Sequence, residues 1–125
     1  MPANDNPGAI HIGVEVFLDG YLETAGDVIV AGQLLGEVRA PRIVVESGGF
    51  VSGNIIADEV IISGVAQDVY IYASKIELTD GSRVTGELYH THLNLTAQSF
   101  FEGKSRRHPN PLELVNSEMA DASAN

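Results

Sequence analysis

The chain contains no cysteine and no tryptophan, and only 6% of its 125 residues are aromatic. Without cysteine there is neither a disulfide framework nor thiolate chemistry, and a reducing compartment is compatible with the fold. With so few aromatics the interior must be a thin column filled by Val, Ile, Leu and Ala. Basic residues are scarce as well: 7 Lys and Arg stand against 17 Asp and Glu, a formal charge of −10. That balance argues against nucleic acid and against direct attraction to anionic lipid, and it suits a solvated acidic surface. No run approaches the roughly 18 apolar residues of a membrane span. No N-terminal stretch has the basic and apolar layout of a signal peptide, so the expected location is cytoplasmic. A GxxxxGK[ST] phosphate loop is also missing, which leaves nucleotide-driven assembly without support.

What the sequence does contain is a repeat of about 17 residues. Glycines recur at Gly20, Gly36, Gly53, Gly86 and Gly103, at spacings of 16, 17, 33 and 17, so the 33 is a double step with one glycine missing near Val69. Apolar pairs two residues apart keep the same phase: Val28 and Val30, Ile43 and Val45, Val60 and Ile62, Ile76 and Leu78, Leu93 and Leu95. A small residue precedes each pair by three, at Ala25, Ala40, Ala57 and Ala73, and His90 stands in the last slot. Another apolar residue follows the first four of these glycines by two, at Leu22, Val38, Ile55 and Leu88.

Each segment is too short for an amphipathic helix, and its alternation has period two. Val and Ile on alternate positions suit a half-buried strand. One such unit cannot bury its own apolar face, whereas stacked units fuse their faces into a continuous column. The pattern predicts an all-β fold, a parallel β-helix of about six coils over residues 10–103. A drifting coil length without a six-residue rhythm favours the right-handed winding. Residues 1–9 read as a flexible arm and residues 104–125 as a disordered tail, with a basic KSRRH run and one weak helical stretch near Leu112 to Met119. Within the first coil Ile10, Ile12, Val14 and Val16 are expected on one face, with Phe17 on the other, either over the open end or in solvent.

Two features invite a functional reading. Tyr70 and Tyr72 should line one outward face, either as a partner-binding patch or as a packing pair between coils; Lys104, Arg106 and Arg107 are further candidates for a partner surface. His90 and His92, two apart on a strand, could face one ion, which would suit a small metal-dependent enzyme or a ligand-binding trimer. No third histidine lies in phase one coil away, and the corners leave only two or three residues each, too few to build a substrate cleft. The expectation is therefore no catalytic residue, no metal and no cofactor. The ends carry more weight: a β-helix finishes in a coil of unpaired backbone groups and an open apolar cross-section, and neither terminus supplies an obvious amphipathic cap. Either an arm or tail folds over an end, or the column continues through another molecule.

The units GEVRA, GNIIADEVIISG and GELYHTHLNL, each a glycine, an apolar residue and a small residue ahead of an alternating strand, resemble the bactofilins over about residues 10–103. Departures are Val69 for glycine, His90 for alanine, and the arm MPANDNPGA, which is unlike the short apolar membrane-targeting peptide of many bactofilins. The resemblance implies a right-handed triangular β-helix that polymerises end to end without nucleotide into non-polar filaments. It also implies a bacterial cytoskeletal scaffold that localises cell-wall or morphogenesis proteins, with a phenylalanine of the C-terminal coil in the end contact. The matching residues are Phe100 and Phe101, with Leu93 and Leu95 beside them, and Ile10, Ile12, Val14 and Phe17 at the opposite end. Expected partners are further copies of the chain, a bactofilin paralogue for which it could act as a co-assembling adaptor, and cell-wall synthesis or hydrolysis proteins, with membrane association at most indirect.

Overall fold

The computed structural model describes residues 9–109. Nine strands follow one another: β1 (Ile10–Ile12), β2 (Phe17–Glu23), β3 (Val28–Val30), β4 (Gln33–Arg39), β5 (Arg42–Val45), β6 (Phe50–Ile62), β7 (Val65–Leu78), β8 (Arg83–Leu95) and β9 (Phe100–Arg107). No helix occurs among the described residues. Every strand pairing is parallel. One ladder runs β2, β4, β6, β7, β8, β9 and the other β1, β3, β5, β6, β7, β8, so each has six rungs and the chain is a parallel β-solenoid of about six coils.

The repeat read in the sequence is the register of these ladders. Val28, Ile43, Val60, Ile76 and Leu93 stack in one column. Val30, Val45, Ile62, Leu78 and Leu95 form the next, and Leu22, Val38, Ile55, Ile71 and Leu88 a third. Residues in the middle coils of these columns are fully buried. One coil contributes about five of them, for example Val51, Ile55, Ala57, Val60 and Ile62, each worth roughly 1.5–3 kcal/mol or less for alanine. That sum cannot order a coil alone; the neighbour above and below must complete it.

The glycine column Gly20, Gly36, Gly53, Gly86 and Gly103 turns the chain between two faces with φ between 117° and 141°. A Cβ on Gly53 would run into the carbonyl oxygen of Gly36 in the rung below, and one on Gly36 into that of Gly20, so these corners need glycine for space as well as for conformation. Val69 occupies the missing slot, paired with Gly53 below and Gly86 above. It fits because the positive φ moves back one residue, to Asp68 at 54°. The register slips there on both sides, between Val51 and Gly53 and between Ala66 and Val69, as an inserted residue in one strand requires. The corner is therefore kept at the position where the sequence lacks the expected glycine.

Three expectations are corrected. Alternation in the first coil ends at Ile12: residues 13–16 form a turn closed by Val16 N–H donating to Gly13 O at 2.9 Å, and Val14 and Val16 are exposed rather than inward. Ala25 is not in the alanine column; it is exposed in a bend, while Thr24 N–H donates to Arg39 O, so one extra residue separates β2 from β3. The last strand runs past Gly103 to Arg107, which places Lys104, Arg106 and Arg107 on the final coil. Of the arm expected over residues 1–9 and the tail expected over 104–125, residues 1–8 and 110–125, with the helical stretch, lie outside the described residues.

Candidate assembly interface

At the C-terminal end, β9 pairs only with β8, and the second half of β8 pairs only with β7, among the described residues. The inward column Leu34, Val51, Ala66 and Val84 ends in Phe101, which packs on the core and is half-buried. Leu93 is half-buried beside it, and Leu95 is 52% exposed although its column is otherwise buried. At the N-terminal end, Ile10 and Leu18 begin the columns of Leu93 and Phe101 and Leu22 begins that of Leu88, and all three are only partly covered. Among the described residues, both ends thus present an apolar cross-section bordered by strand edges with no further rung.

Phe100 and Phe101, adjacent in sequence, part company. Phe101 sits over Val84 in the column, whereas Phe100 pairs with Arg83 and lies under its guanidinium, 5.3 Å from carbon to ring centroid. Phe100 is therefore a lateral residue at the rim. Phe17 occupies the equivalent outward position at the other end, in register with Gln33 and 58% exposed. The rims differ in net sign: Lys104, Arg106 and Arg107 outnumber Glu102 on the last described strand, and Glu15, Asp19 and Glu23 border the N-terminal end. Tyr21 donates to Glu23 Oε1 at 2.8 Å, and this bond to a carboxylate holds its phenol above the ordinary range.

The tyrosine pair separates too. Tyr70 is 45% exposed, but Tyr72 is buried beneath Tyr89, whose ring is stacked on it at 4.9 Å and 6°. Tyr72 is thus a packing residue between coils, and Tyr70 alone remains outward. Tyr89 carried no expectation from the sequence, although its 17-residue spacing from Tyr72 was the signal.

The two candidate metal ligands diverge. His90 follows Ala57 and Ala73 in their column, beneath Arg107, and is 7% exposed, its Nε2 hydrogen-bonded to Ser105 Oγ at 2.5 Å and its Nδ1 buried with no hydrogen-bond partner among the described residues. Burial, then the nearby Arg107 guanidinium, lower its pKa. His92 is exposed past the corner, in register with Lys75. A cation there would face Lys75, and no group of three or more His, Cys, Asp or Glu suited to a metal exists among the described residues.

A family model described as Bactofilin, polymer-forming cytoskeletal, matches residues 10–106. The chain belongs to the bactofilin family. Bactofilin BacP of Myxococcus xanthus is 26% identical over 105 residues, which are 83% of this chain and 44% of BacP, so this bactofilin spans less than half of that relative's length. The structure of the cytoskeletal bactofilin BacA, determined by solid-state NMR, is similar with a TM-score of 0.74 at 26% identity, covering 80% of this chain and 96% of that one. The shared part is the solenoid itself, and the family is one of structural, polymer-forming proteins. No helix among the described residues is long and apolar enough to cross a membrane.

Proposed function

We propose that this bactofilin assembles end to end, without nucleotide, into filaments that serve as a scaffold for proteins of cell-wall synthesis or morphogenesis. It has no catalytic step in this reading. The observation that carries it is the cross-section formed by Phe101, Leu93 and Leu95, where columns that are dry through the middle of the molecule come to an open end. Contact with a second copy removes that apolar area from water, at about 25 cal/mol per Å², and covers the strand edge. No nucleotide is required because burial supplies the driving force. Six rungs at roughly 4.8 Å give a subunit about 25–30 Å long.

Like ends meeting, as the family resemblance implies, gives non-polar filaments in which two Phe101 cross-sections face each other. One observation favours a second arrangement, N-terminal end on C-terminal end: the rims are of opposite sign, and Arg106 would then follow Glu23 in register. Electron microscopy of the purified protein without nucleotide tests both. Filaments with a repeat of about twice the subunit length support like-end contact, a repeat of one subunit supports the second arrangement, and no filaments at any concentration contradict end-to-end assembly. A paralogue-dependent adaptor would form filaments only on mixing.

A further inference from the structure

One outer face of the solenoid carries a charge pattern that the end contacts do not use. Just past the corner that precedes β3, β5 and the second halves of β6, β7 and β8, successive coils present Asp27, Arg42, Glu59 and Lys75 in one column. Their signs alternate strictly. Arg42 Nη1 lies 3.9 Å from Asp27 Oδ2, Arg42 Nε 3.2 Å from Glu59 Oε1, and Lys75 Nζ 3.9 Å from Glu59 Oε2. The four side chains keep between 25% and 48% of their surface in solvent, so each can take a second partner. The adjacent outward column is apolar over three coils, Ile29, Val44 and Ile61, stacked in register and half-buried.

We infer that this face is an interface with a second, antiparallel copy of the chain. The argument is charge complementarity. Read downward the ladder is minus, plus, minus, plus; read upward it is plus, minus, plus, minus. A two-fold axis lying in the face, between the rungs of Arg42 and Glu59, therefore sets Asp27 against Lys75 of the second copy and Arg42 against its Glu59. Each charge then has opposite charges along its own column and across the interface. The same operation places Val44 on Ile61. A slip by one coil puts Arg42 against Arg42, and a parallel copy sets the charge column against a different one, Ala31, Glu46, Ser63 and Thr79. The ladder thus specifies both direction and register. A patch four rungs long is small beside the roughly 800 Å² per partner of a stable dimer, so the pairing is weak per subunit and multiplies where subunits are joined along the axis. It is independent of which ends meet.

Two experiments test this on the full chain, which has no cysteine of its own. In the first, Val44→Cys and Ile61→Cys proteins are oxidised alone and as a mixture. A disulfide-linked heterodimer at least several-fold above either homodimer is expected, in pelleted or soluble material alike; equal or absent cross-linking overturns the proposal, including in favour of a different protein as occupant. In the second, the lateral width of assemblies is measured for Arg42→Glu, Glu59→Arg and their mixture. Each variant alone sets like charges face to face and should lose pairing, whereas the mixture restores every opposite-charge contact and should recover it. Recovery should vanish at about 0.5 M salt, where the screening length falls well below the ~10 Å of 0.1 M. Variants that pair normally alone, or a mixture that stays unpaired, contradict the inference.

Discussion

The imidazole of His90 reaches the hydroxyl of Ser105 in the rung above at 2.5 Å, at a position where the rungs below carry Ala73 and Ala57 beside Ile71 and Ile55. Burial and Arg107 disfavour the imidazolium, so the folded state holds the proton less well than the unfolded chain does. The stability linked to His90 is complete above the ordinary histidine pKa of about 6.5 and declines as pH falls from there toward the lowered folded value. Melting temperatures from pH 7.5 to pH 5 should fall more steeply for the native chain than for His90→Ala. Parallel profiles would show that His90 is not the group responsible.

Stacking of Tyr89 on Tyr72 makes the two neighbouring tyrosines unequal. Tyr72→Ala should cost about 3 kcal/mol, as for other buried aromatics, whereas Tyr70→Ala should stay within about 0.5 kcal/mol. Denaturant titration of both variants measures this directly, and equal losses would contradict the burial difference.

The bulge at Asp68 replaces a glycine corner at the expense of a left-handed non-glycine residue. Asp68→Gly keeps its backbone N–H donation to Thr85 Oγ1 at 3.0 Å and should raise stability by about 1 kcal/mol by relieving that conformation. The contrasting variant Gly53→Ala places a methyl against the Gly36 carbonyl and should prevent the solenoid from forming, seen as loss of the β signal in circular dichroism. A Gly53→Ala protein that melts like the native one would contradict the tight coil spacing.

Much of this was legible because in a solenoid contacts fall one period apart: knowing that Ile43 precedes Val60 by 17 residues is knowing that they touch. The alternation of Val and Ile gave the inward columns, and the missing glycine at Val69 marked the corner that the structure builds differently. What escaped had no periodic signal. Val14 and Val16 continue the alternation of Ile10 and Ile12, but Gly13 breaks the strand and sends them outward. Phe100 and Phe101 are alike in composition, and only the register of Arg83 and Val84 beneath them tells rim from column. The run of the last described strand to Arg107 was hidden because Lys104, Arg106 and Arg107 look like a tail, although Gly103 and Arg106 keep the phase of Gly86 and Tyr89. The charge ladder was overlooked for a related reason: its members are 15, 17 and 16 residues apart, and charge alternating between coils conceals a position that apolar residues would have revealed.

End-to-end assembly is tested most directly by comparing pelleting of Phe101→Arg and Phe100→Arg with the native chain, in buffer without nucleotide and with circular dichroism as the control for folding. Phe101→Arg, which puts a charge into the apolar cross-section, should abolish sedimentation while the β signal persists, and Phe100→Arg, at the rim, should reduce it far less. A folded Phe101→Arg protein that pellets like the native one would contradict assembly through the open end of the column.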